Sequence, residues 1–323
     1  MTSPQHHDIV VIGAGIAGSS IARELLERGQ AVCIVDSAPY PASACSSHAY
    51  AIAHPHVGRG APRLLRLTRI AFLMAEARWG KAWNQHGIFQ PSKKDKVFNR
   101  DEVASYLQSL DLDKGVAQAL NADDARQVCG IHQDGIWLPR GASLNLFEAT
   151  QDALAPHPRL TCCWNTSVAR LEKVDAGWQL IDSQDKTIMT AGKVIVAAAL
   201  ETKKLAASID VRLPLRPVRG QLSIFSIDEN SLWAPKLPRT AISGDGYCLP
   251  AMKLSDGNYQ WIVGSSFDEG ASDLQDWDAS DDFNREQARG LLNYEHGELN
   301  QLQKSGSFVG VRCVAGCLLY TSD

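Results

Sequence analysis

The chain has 323 residues, a formal net charge of −4, 45% hydrophobic and 21% charged residues, enough for one large or two ordinary globular domains. The slightly acidic total argues against a protein devoted to nucleic acid or anionic membrane, and no run is apolar enough over the roughly 18 residues of a membrane span. The eight cysteines form no C-x-x-C pairs and have no histidines at zinc spacing; reduced thiols are expected rather than disulfides or a metal site. The N-terminus MTSPQHHD lacks the basic region of a signal peptide, so the expected location is the cytoplasm.

The run DIVVIGAGIAGSSIARELLERG, followed by AVCIVD, organises the chain. Residues 8–12, Asp8 followed by four β-branched apolar residues, have the pattern of a buried parallel strand. Gly13, Gly15 and Gly18 then stand at G-x-G-x-x-G spacing, an amphipathic helix is predicted over 16–28, and a second strand over 31–35 ends in Asp36. In that context the glycines serve a tight turn, close approach of a pyrophosphate, and close packing of helix on strand. The helix N-terminus offers N–H groups to phosphate, and a carboxylate at Asp36 suits a ribose 2′-OH while repelling a 2′-phosphate. A bound dinucleotide is therefore expected along Gly13, Ala14, Gly15, Ile16, Ala17 and Gly18.

In the loop that follows, Ser43, Ser46 and Ser47 are candidates to face the pyrophosphate from the opposite side. His48, His54 and His56 cluster there too, and packing or substrate-side roles are favoured over a metal. A helix is predicted over 61–83. Arg59, Arg63, Arg66 and Arg69 recur along one of its faces with no acidic residue among them, which makes that stripe a candidate phosphate-contacting surface. A strand over 88–97 carries Lys93, Lys94 and Lys96, GIWLP at 135–139 reads as a short strand, and Ser143 is the expected cap of a helix running to residue 154. Short strands are predicted over 160–164, 168–174, 178–182 and 193–197. Residues 213–227, LPLRPVRGQLSIFSI, read as two strand-like halves around Arg219-Gly220. Further strands at 241, 247 and 261–266 precede an acidic stretch and a helix from Asp281 to residue 292. The fold class expected is α/β: a Rossmann-like nucleotide-binding domain assembled from separated segments, with an inserted antiparallel β-sheet plus helices.

Several segments carry a resemblance beyond this pattern: the first glycine motif, IAHPHVGRGAPRLLRLTRIAF, LPLRPVRGQLS, SGDGYCLP, GSSFDEGASDLQDWDASDDFNREQ and FVGVRC. Together they resemble the FAD-dependent amine and amino-acid oxidoreductases of the D-amino-acid oxidase and glycine oxidase type. Within that family they look most like the oxidoreductase module that acts with a methyltransferase, separate or fused, in tRNA wobble-uridine modification. The resemblance implies FAD as cofactor, its pyrophosphate on the glycine turn, its adenosine ribose at Asp36, Val168 near the adenine, and Gly220 and Gln221 near the flavin ring. It places Tyr247 and Arg312 at the substrate carboxylate, where a guanidinium suits a planar anion. The implied FAD-binding domain comprises 1–90, 140–215 and 305–323, and the substrate domain 91–139 and 216–304. The implied reaction is removal of the carboxymethyl group from carboxymethylaminomethyl-(2-thio)uridine by hydride transfer to flavin and imine hydrolysis, with tRNA held by the arginine stripe. A free glycine, sarcosine or D-amino acid is the alternative substrate. The sequence departs from the family at Asp36, where glutamate is commoner, at Ala199 or Leu200, where a glycine is usual, and after GVRC, where VAGCLLYTSD replaces the family's ending. That ending is the expected sign of a truncated terminus, with an inactive fragment as a third reading.

Overall fold

In the computed structural model, which describes residues 4–57, 62–93, 98–295 and 297–315, two large sheets and a small three-stranded one, Ala51–Ala53, Ala142–Leu144 and Trp83–Gln85, organise the chain. The first grows from β1 (Gln5–Ile12), whose last four residues are buried. α1 (Ile16–Glu27) crosses over to β2 (Val32–Val35), buried along its whole length. α2 (Pro62–Arg78) follows at a distance, five residues shorter at its C-terminal end than the sequence predicts, because Trp83 opens a short strand, Trp83–Gln85. β3 (Leu160–Cys163), β4 (Arg170–Val174), β5 (Gly177–Ile181) and β6 (Thr187–Val196) complete a six-stranded sheet in the order β4-β5-β6-β1-β2-β3. β1 is central and runs parallel to β6 on one side, from Gln5–Met189 to Ile12–Val196, and to β2 on the other. Being covered on both faces is what allows the uninterrupted apolar run of its last four residues, Ile9 to Ile12. On one face Val11, Ala14, Ala22, Leu26, Val32 and Ile34 pack together, which seats α1 on the sheet.

The second sheet has ten strands and is built on β7 (Leu215–Ile227). β8 (Gly246–Cys248) and β9 (Tyr259–Gly264) lie to one side, α3 (Asp278–Leu292) packs over them, and β10 (Gln303–Ala315) pairs antiparallel along the other side of β7. The expected break at Arg219-Gly220 is absent, since β7 is one continuous strand paired with β10 from Leu215–Ala315 to Ser226–Gln303. The sheet is antiparallel except where Ala241–Gly244 runs parallel to Ile88–Pro91. Residues 88–91 and 303–315 both belong to this sheet, so it draws in segments that the expected division assigned partly to the nucleotide-binding part. The physical reason is strand pairing: 88–91 pairs with Ala241–Gly244 and Gly135–Leu138, and 303–315 pairs along β7. The helix expected to start at Ser143 also differs: it spans Leu146–Ala153, its cap is Asn145, whose side chain accepts from the Glu148 N–H, and Ser143 lies in the strand Ala142–Leu144. Among the described residues no helix is long and apolar enough to cross a membrane.

Candidate dinucleotide site and adjoining cleft

The turn after β1 leaves no room for side chains. Gly13 has φ +104°, and a Cβ on it would strike the Ala197 carbonyl; a Cβ on Gly18 would collide with the Gly13 carbonyl oxygen. Gly15 is the N-cap of α1 and supplies no side-chain cap, so the first-turn N–H groups around Ala17 and Gly18 lack the partner a capping residue would give. Ser46 faces this mouth. Its Oγ accepts from the Ile16 N–H at 2.9 Å and would lie 3.1 Å from a Cβ on Gly15. Ser47 instead donates to the Ala44 carbonyl at 2.8 Å and tightens its own turn, and Ser43 is exposed. Asp36 ends β2 with its carboxylate fixed by two backbone donors, Ala14 N–H at 2.7 Å and Ala38 N–H at 2.9 Å. Val168 packs against the cluster containing Ile12 and Val35, near the same ends of β1 and β2. A turn stripped of Cβ atoms, a helix start without a capping side chain and a fixed carboxylate fit the diphosphate and ribose of a dinucleotide.

β7 and β10 carry the site into the second sheet. Arg312 on β10 lies over Gly220, and a Cβ there would overlap its guanidinium. Arg312 donates to the Ser265 hydroxyl and, at 3.2 and 3.3 Å, to the Ser266 carbonyl, and its guanidinium stands 5.4 Å from the Phe267 ring. Among the described residues no carboxylate pairs with it. Tyr247 on β8 accepts or donates at 3.1 Å with His48 Nε2, and His48 stacks on Phe308 of β10 with ring centroids 4.8 Å apart. Burial, and secondarily the Arg312 charge, holds the His48 pKa down to about 4, so its ring is neutral at ordinary pH. Burial pushes the Tyr247 phenol well above its usual value, against the smaller opposing pull of Arg312. Tyr247 pairs with Gly264, next to the Ser265 and Ser266 that Arg312 holds, so a neutral phenol and a cation stand side by side. His48 was singled out in the sequence only as part of a histidine cluster; its partner stands 199 residues away.

Gln221 lies on the other face of β7. Its amide is fully buried and spends both ends on neighbours: Nε2 donates to Asp276, Asp281 and the Trp277 carbonyl, and Oε1 accepts from Arg219 and the Trp277 N–H. Gly220 is thus the member of the expected pair that faces Arg312, whereas the Gln221 side chain faces α3. Of the arginine stripe, Arg63 and Arg66 are exposed on α2, Arg69 donates to the Leu110 carbonyl at 2.8 Å, and Arg59 lies outside the described residues, as do Lys94 and Lys96.

This architecture defines a dinucleotide-binding oxidoreductase. It is similar to glycine oxidase from Geobacillus kaustophilus (TM-score 0.73, 16% identity, 96% of this chain and 84% of that one). It is equally similar to L-alpha-glycerophosphate oxidase from Mycoplasma pneumoniae with FAD bound (TM-score 0.73, 16% identity, 97% and 85%). Residues 8–319 match the family described as FAD dependent oxidoreductase, and the chain belongs to it: it is an FAD-dependent enzyme of the D-amino-acid oxidase type. Among curated proteins it is 31% identical over 327 residues to the tRNA 5-methylaminomethyl-2-thiouridine biosynthesis bifunctional protein MnmC of Ralstonia nicotianae, and 30% identical over 325 residues to that of Burkholderia mallei. The alignments cover 97% of this chain and 48% and 47% of those proteins, so the chain spans about half the length of the curated relatives it matches.

Proposed function

We propose that the chain oxidises the CH–NH bond of a carboxymethylamino group on a wobble uridine of tRNA. Bound FAD supplies the two-electron acceptor, so that the methylene–nitrogen bond becomes an imine, which water splits to glyoxylate and the aminomethyl nucleoside. The chain's own contribution is positional. Arg312 holds the terminal carboxylate through a guanidinium that no acidic side chain among the described residues neutralises, and Tyr247 adds a neutral hydroxyl to the same cleft. Gly15, Ser46 and the start of α1 hold the diphosphate, and Asp36 the ribose. The observation that carries this reading is Arg312: a cation over a glycine, tied among the described residues to hydroxyl and carbonyl oxygens, is suited to an incoming carboxylate. Identity with the tRNA-modifying relatives supports the macromolecular substrate, and the exposed Arg63 and Arg66 support phosphate contacts on an otherwise acidic protein.

The test is turnover of tRNA bearing the carboxymethylaminomethyl group, with glyoxylate as the readout. Arg63→Glu with Arg66→Glu is expected to raise KM for tRNA about tenfold and to flatten its salt dependence, leaving kcat within about twofold. Arg69, tied to Leu110, is expected to matter less for binding. The second reading, a free small amino acid, is favoured by the fold's likeness to glycine oxidase. Equal turnover of glycine without RNA, together with insensitivity to salt and to the arginine changes, would replace the first reading with the second.

A further inference from the structure

We propose that His48 is a positioning residue that fixes the Tyr247 hydroxyl as a hydrogen-bond donor toward the substrate carboxylate, making Tyr247 the neutral partner of Arg312. The inference rests on the carboxylate reading of Arg312 and Tyr247 and assigns a new role to the loop after β2. A backbone N–H can only donate, and the Tyr50 N–H points at His48 Nδ1 at 3.0 Å. Nδ1 must therefore be the bare nitrogen of the neutral ring, and the proton sits on Nε2. That proton faces the Tyr247 oxygen at 3.1 Å, so the phenol accepts from His48 and its own O–H must point elsewhere. Within the protein its only acceptor among the described residues is the Tyr50 carbonyl at 3.5 Å, the outer limit of a hydrogen bond. A carboxylate oxygen arriving beside Arg312 is a stronger acceptor and would draw the O–H to itself.

The ring is held in this orientation from its flat side. Phe308 stacks beneath it at 20° between planes, two residues before Gly310, where a Cβ would meet Cys45 Sγ at 3.1 Å. Cys45 in turn donates to the Val311 carbonyl at 3.0 Å, so the turn 45–48 is pinned along β10, the strand that carries Arg312. One strand thus fixes the cation directly and the neutral donor indirectly, through histidine.

The probe is acetate, titrated into the FAD-loaded enzyme and followed by the change in flavin absorbance, with acetamide as the uncharged control. Arg312→Met tests the underlying reading: acetate affinity unchanged in that variant removes the carboxylate clamp altogether. With the clamp intact, His48→Leu is expected to weaken acetate about tenfold and acetamide little, and His48→Gln, whose amide nitrogen reaches as far as Nε2, to recover most of the loss. Tyr247→Phe should lose as much as His48→Leu, and the double variant no more than Tyr247→Phe alone, because the histidine acts only through the phenol. Additive losses in the double variant, or wild-type acetate affinity in His48→Leu, overturn the proposal. Should His48→Leu fail to fold, Tyr247→Phe carries the test: wild-type acetate affinity in that variant overturns the proposal.

Discussion

At Gly18 a single methyl group decides whether α1 can seat on the glycine turn, because its Cβ would occupy the place of the Gly13 carbonyl oxygen. Gly18→Ala is expected to cost about 1–3 kcal/mol in urea unfolding, as overpacking does elsewhere, and to lower the flavin retained after desalting. A variant of wild-type stability and flavin content would show that the close approach is not a constraint. This much was legible in the sequence, since glycine spacing and the acid at the end of β2 are local and strand, turn and helix were in register. The neighbours of Tyr247 were not legible. His48 and Arg312 meet it from distant parts of the chain, and no periodicity connects a loop histidine to a strand tyrosine 199 residues on.

Among the elements, β7 shows how a buried polar face misleads. Arg219, Gln221 and Ser223 alternate along the strand as a solvent-facing row would, yet all three are fully buried against α3 and the acidic segment before it. Arg219 donates to Asp268 at 2.9 Å, Ser280 at 3.2 Å and Gln221 at 2.8 Å, and lies 3.9 Å over the Trp277 ring. Ser223 and Asn284 close the far end, where the Asn284 amide donates to the Ser223 hydroxyl at 3.0 Å. Asp268 and Asp273, in the acidic stretch before α3, are therefore the counter-charges of a buried arginine. Arg219→Leu strands Asp268 and Gln221 together and is expected to destabilise by about 3–5 kcal/mol in denaturant unfolding. Arg219→Lys, which keeps the charge but not the fork, should fall between. A loss below about 1 kcal/mol for the leucine variant would mean that the network contributes little.

For the molecule as a whole, the perturbed groups make acid the vulnerable direction. Burial holds His48 down to about 4 and lowers His54 and His86 below their usual value. Between pH 6.5 and about 4 the unfolded chain binds a proton at His48 that the folded chain refuses, so stability falls as pH drops through that window. From the 6.5-to-4 span, His48 alone contributes about 3 kcal/mol of that loss. Asp276 is held below its usual value first by the hydrogen bond from Lys304, and Glu298 first by the Glu295 N–H. Their contributions are present at neutral pH and disappear lower still, as each carboxylate protonates through its depressed pKa. Thermal midpoints should accordingly decline from pH 7 to pH 5, less steeply in His48→Gln, and a flat profile over that range contradicts the burial of these rings.

The long ladder between β7 and β10 has a consequence for biogenesis. β7 leaves the ribosome while residues 228–302 are still to be made, and its partner edge stays open until 303–315 emerge. The glycine-turn sheet waits in the same way, since β1 needs β6. Neither half of the enzyme can close on a short nascent chain, so synthesis of this protein exposes unpaired edges for most of its duration, and holdase chaperones that mask such edges should raise its soluble yield.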